Sequence, residues 1–173
     1  MVIVDSYPES NYGIYSYFTA GFLTASGQSF TGNGGRLNKT TFYLNRGATG
    51  TGTLVSKVYA HAGTFGGAST PTGTALATSG SINIAGLNSS FTLVDFTFTG
   101  AEKIMLTNET KFVVTLESTE ASSNAVAYAF DGTDNSHPGN LCYKYGTWAP
   151  GADDLIFYVY SDDIIGPFPT YLR

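Results

Sequence analysis

The chain has 173 residues and a mass of 18.3 kDa, with 12% charged side chains and 8 Lys+Arg against 13 Asp+Glu, a formal net charge of -5. So few basic residues exclude an electrostatic footprint for nucleic acid, and 14% aromatics with so little charge exclude a disordered chain. Abundant Gly and Thr with scarce Glu and Lys exclude a helical bundle. The expectation is an all-β chain, a two-sheet antiparallel β-sandwich of jelly-roll type over residues 1–163, followed by an extended arm over 164–173.

Residues 1–9 carry no basic start and no apolar run, so no secretory signal is expected there. Residues 12–18 read as aromatic-rich and extended, and residues 27–31 (GQSFT) as a short strand running into the turn signal GNGG at 32–35. Residues 38–45 (NKTTFYLN) place Phe42 and Leu44 on an apolar side, and GATGTGT at 47–53 is a flexible connection. In residues 53–61 (TLVSKVYAH), Leu54, Ser56, Val58 and Ala60 share one face, with Val55, Lys57, Tyr59 and His61 opposite. The Gly-, Thr- and Pro-rich stretch 62–73 is expected to be the longest loop, before strand fragments at 74–79 and 81–84.

The clearest alternation follows. Residues 91–99 set Val94, Phe96 and Phe98 on one face, and residues 111–117 turn Phe112, Val114 and Leu116 inward with Lys111, Thr115 and Glu117 outward. Strands are also expected at 124–131, 141–145 and 155–160, the last apolar on both faces and so central or set against a partner. The only helix-like window, 99–106, reads better as a turn. The count is about eight to ten strands, with Phe42, Phe96, Phe98 and Phe112 as core candidates. Cys142, the only cysteine, reads as a small apolar strand residue, and the sequons at Asn38, Asn88 and Asn108 as polar turn chemistry. No apolar run approaches the ~20 residues of a membrane helix.

No nucleophile elbow and no His-Glu-x-x-His motif is present. Asp153–Asp154 and Asp162–Asp163 are adjacent pairs that a strand sends to opposite faces, and nothing ties Asp95, Glu117 and Asp131 together, so no enzyme is expected. The most site-like segment, 130–148, gathers Asp131, Asn135, His137, Tyr143, Tyr145 and Trp148 as glycan-contact candidates: rings to stack on sugar C–H faces, polar groups for the hydroxyls. It also reads as a polar hairpin loop with Asx turns and Trp148 as a lid on the core. Asp131 and Asp134, with the Thr133 carbonyl, are weak calcium candidates without the EF-hand pattern, and no other cofactor is expected. In the arm, two prolines forbid a central strand, and Ile165, Phe168, Tyr171 and Leu172 are candidates for docking on a neighbouring subunit or on their own domain.

Residues 27–31 and 36–44, LVSKVYA at 54–60, TPTGTALA at 70–77 and KFVVTLE at 111–117 together resemble a sandwich domain of bacteriophage virion proteins and secreted bacterial proteins, and the jelly roll of carbohydrate-binding modules, over residues 5–162. The resemblance implies a capsid-decoration, head-fibre or tail-associated protein that docks in many copies on a capsid or tail protein at the virion surface. A Thr-, Ser-, Gly- and Tyr-rich surface with no expected secretory signal agrees with a particle component. The alternative is an extracellular module that binds cell-surface or environmental glycans. Carbohydrate-binding relatives often hold a structural calcium, whereas neither a nucleic acid nor a membrane partner is expected.

Overall fold

The computed structural model describes residues 1–47, 50–119, 124–133 and 136–162; Asp134, Asn135 and the arm positions Ile165, Phe168, Tyr171 and Leu172 lie outside them. The strands are β1 (Val2–Tyr7), β2 (Ile14–Tyr17), β3 (Leu23–Thr31), β4 (Leu37–Arg46), β5 (Thr53–Ala62), β6 (Thr70–Thr78) and β7 (Ile82–Asn83). They continue as β8 (Thr92–Thr97), β9 (Lys111–Ser118), β10 (Val126–Asp131), β11 (Leu141–Tyr145), β12 (Thr147–Pro150), β13 (Asp154–Leu155) and β14 (Phe157–Ser161). Among the described residues helix is confined to 3-10 turns at Glu9–Asn11, Ile84–Gly86 and Gly100–Glu102, and no helix is long and apolar enough to cross a membrane.

Two antiparallel sheets pack face to face as a β-sandwich. The first runs β1-β14-β4-β10-β13, with β2 beside β10 and β8 beside β4; the second runs β12-β11-β3-β9-β5-β6, with β7 beside β5. From β2 to β5, and again from β7 to β11, each strand lies in the other sheet from the one before it, the winding a jelly roll uses. Alternation assigns the faces. Thr40, Phe42 and Leu44 of β4 point inward, opposite Phe96, Val94 and Thr92 of β8. Gln28 and Phe30 of β3 point inward opposite Val114 and Phe112 of β9. The expected core residues Phe42, Phe96, Phe98 and Phe112 are all buried. Phe42 meets Phe96 edge-on at 5.7 Å, and Phe30 stacks on Phe112 at 5.6 Å.

Several boundaries differ from expectation. β1 was not legible as a strand: its apolar Val2 and Ile3 are exposed, while the inward positions are the polar Asp5 and Tyr7. The long loop expected at 62–73 ends at 69, because β6 begins at Thr70. Pro71 is tolerated there since β6 is an edge strand with no neighbour on its far side. The 155–160 run is interrupted at Ile156 into β13 and β14. β14 is central, between β1 and β4, with Phe157 and Val159 buried and Tyr158 and Tyr160 half-buried on the outer face. The 99–106 window holds only a single 3-10 turn. In the GNGG turn Gly34 has φ +84, a conformation that costs glycine nothing.

Candidate functional site

Polar side chains inside the sandwich meet where β1 and β13 of the first sheet face β3 of the second. Gln28 reaches across from β3. Its Nε2 donates to Asp154 Oδ1 at 2.8 Å, and its Oε1 accepts the Leu155 N–H at 2.9 Å. The backbone donor therefore settles which end of the amide is oxygen. Asp154 Oδ2 accepts the His137 N–H at 3.0 Å. Burial pushes the Asp154 carboxyl above the usual carboxylate range, with the Gln28 and His137 hydrogen bonds pulling it back in part. His137 is fixed on both sides. Nδ1 accepts the Gly139 N–H at 3.0 Å and faces Gln28 Nε2 at 3.1 Å, so the ring proton sits on Nε2, 3.0 Å from Asp5 Oδ1. Asp5 Oδ2 accepts the Thr31 N–H from β3 at 3.2 Å. Tyr7 donates to Asp131 Oδ2 at 2.6 Å, and burial followed by that hydrogen bond pushes its phenol up to about 12. A second tie between the sheets runs from Thr40 Oγ1 to Ser56 Oγ at 2.8 Å. Both ring nitrogens of the imidazole are engaged, Nδ1 as acceptor and Nε2–H as donor, so the cluster holds sheets and loops together and presents no open base.

The glycan-contact candidates fall in three places. Asp131 and His137 join through Tyr7 in this buried cluster, 3% and 8% exposed. Asp131 Oδ1 accepts both the N–H and the O–H of Thr133, the Asx turn expected of a polar loop. Tyr143 and Tyr145 project from one face of β11, their rings 5.1 Å apart, with Phe22 4.7 Å beyond Tyr145. Trp148 lies on the opposite face, because its ladder partner is Lys144, whose Nζ sits 5.8 Å over the indole. There it approaches Tyr59 at 6.4 Å, beside Glu117, which accepts from Lys57 at 2.7 Å and from Tyr59 at 2.7 Å. These three places share no common open surface. As for calcium, no group of three His, Cys, Asp or Glu able to hold a metal occurs among the described residues.

The outer face of the first sheet carries aromatics that no motif reveals. Tyr15 and Tyr17 of β2 pair with Ala129 and Ala127 of β10, and Asn45 of β4 pairs with Ala127 from the other side. Tyr43 lies opposite Leu93 of β8, and Phe91 precedes that strand. The rings touch in a chain. Tyr17 lies 5.5 Å from Tyr15, Tyr15 lies 5.6 Å from Phe91, and Phe91 lies 5.3 Å from both Tyr43 and Tyr12. At one end, Lys39 and Asp95 form an ion pair at 2.7 Å, and Thr41 donates to the same carboxylate. Burial raises the Asp95 carboxyl, but the bonds from Lys39 and Thr41 outweigh it and hold the group below the usual range.

Cys142 is buried on the outer side of β11, against Gly27, and burial alone pushes its thiol well up. A maleimide or disulfide reagent is expected to leave it unmodified in the native protein and to react fully in urea, as followed by intact mass; fast native labelling would show the position open. No protein-family model matches the chain, and no curated protein or solved structure matches it.

Proposed function

We propose that the chain is a non-enzymatic structural protein displayed on a phage particle, held there as a capsid-decoration or tail-associated subunit. One contrast carries the reading. The interior polar groups are closed on one another, with Asn45 Oδ1 the only buried side-chain N or O atom lacking a partner among the described residues. The exposed side chains, by contrast, form aromatic surfaces suited to contact. Such a rigid body with sticky faces serves attachment better than turnover. The arm, with Ile165, Phe168, Tyr171 and Leu172, is the proposed point of docking on the capsid or tail protein. Gold-labelled antibody against the protein is expected to decorate intact purified particles, and deletion of residues 164–173 to abolish particle association while the sandwich still melts cooperatively. Particles without label, or unchanged association after the deletion, would sink the docking reading.

The second reading, a carbohydrate-binding module, is favoured by the tyrosine content of the outer face of the first sheet. The two readings are compatible, since a displayed subunit can also adhere to surface glycans.

A further inference from the structure

From the geometry of that face we infer a binding site for a neutral polysaccharide on the outer side of the first sheet, made by Tyr12, Tyr15, Tyr17, Tyr43 and Phe91. It rests on the carbohydrate-binding reading and moves the site away from the 130–148 segment.

Three observations choose the occupant. The first is shape and exposure. The five rings form one connected chain, and Tyr12 and Tyr15 stay 37% and 44% exposed although every ring touches another. Self-contact has therefore not hidden them. Open, rigid aromatic faces are what the C–H side of a sugar stacks on.

The second is chemistry. Four of the five rings are tyrosines. A covering surface of leucine or valine would strip the phenols of water at a cost that the hydrogen bond between Tyr15 and Tyr17 offsets only in part. A polyol supplies a hydroxyl for each. Burial, with neighbouring phenols, pushes Tyr12 and Tyr17 up.

The third is charge. Lys39 and Asp95 at one border cancel as an ion pair at 2.7 Å. Glu9 accepts the neutral phenol of Tyr158 and keeps its negative charge. That charge disfavours an anionic polymer, and the rings themselves carry none to attract one.

The test is affinity electrophoresis of the full chain through native gels cast with hydroxyethylcellulose, xylan, galactomannan or glucomannan, with alginate as the anionic comparison. The expected result is retardation by at least one neutral polymer and none by alginate. In that polymer, Tyr15→Ala and Tyr43→Ala should each weaken binding roughly threefold to tenfold, the scale of one stacking ring. The pair together should weaken it more than tenfold, and Tyr15→Phe, which keeps the ring and loses only the phenol, should weaken it less than Tyr15→Ala. Thermal melts of the same variants confirm that they fold. Retention lost in Trp148→Ala or Tyr143→Ala but kept in Tyr15→Ala and Tyr43→Ala would overturn this site and leave the carbohydrate-binding reading standing. Retardation by none of the neutral polymers would overturn both. Sedimentation that shows a dimer broken by Tyr15→Ala would assign the face to a second copy of the chain and overturn the inference.

Discussion

Replacing Gln28 by Ala is expected to lower unfolding stability by about 3–5 kcal/mol, a large part of what a domain of this size has to spare. The magnitude follows from what is stranded. Asp154, 1% exposed, loses the Gln28 donor at 2.8 Å, and the Leu155 N–H loses its acceptor at 2.9 Å. Each orphaned buried group costs ~1–3 kcal/mol, more where it is charged. The truncated side chain also leaves a void between the sheets. Gln28→Glu keeps the volume but replaces the donor with a second carboxylate facing Asp154, so it should be no better tolerated. Equilibrium urea unfolding of the three proteins decides it. A midpoint for Gln28→Ala that corresponds to a loss below about 1 kcal/mol would show that the sheets are not held by this clamp.

Gly139→Ala should be comparably damaging, by at least about 3 kcal/mol, for a backbone reason. A Cβ at Gly139 would lie 2.0 Å from the Ser29 carbonyl oxygen and 2.8 Å from Ser29 Oγ. The segment must retreat from β3, and that retreat breaks a set of bonds together. Ser29 N–H donates to the Asn140 carbonyl at 3.1 Å, Asn140 N–H donates to Ser29 Oγ at 2.9 Å, and Gly139 N–H holds His137 Nδ1 at 3.0 Å. Gly67→Ala is the control. Nothing lies within 4 Å of its added methyl, so it should stay within about 0.5 kcal/mol of wild type. Equal melting temperatures for the two variants would refute the close-approach argument.

Part of the buried cluster could be read from the chain. The adjacent carboxylates are expected to diverge, and Asp154, the first residue of β13, is buried while Asp153 just before the strand is half-buried. The inward phase of β3, set by Phe30, also places Gln28 inside. Neither rule names a partner: Gln28 and Asp154 are separated by 126 positions, and only the packing of two sheets joins them. The outer aromatic face was hidden for the same reason. Tyr12, Tyr15 and Tyr17 are close in sequence, but Tyr43 on β4 and Phe91 just before β8 are brought to them by the same sheet, and no local pattern links them. The 130–148 segment was conspicuous because its polar and aromatic residues are contiguous. Alternation then scattered them: Asp131 and His137 inside, Tyr143 and Tyr145 on one face of β11, Trp148 on the other side.

The sequence by itself determined the class of fold and the composition of the core. Period-2 patterning with Gly- and Asn-rich turns leaves a strand no other way to bury Phe42, Phe96, Phe98 and Phe112, and that constraint is local. Tertiary structure alone decided which polar residues meet inside and which rings meet outside. Sheet order and register are set by long-range pairing, and a one-position slip of β2 would turn Tyr15 and Tyr17 inward.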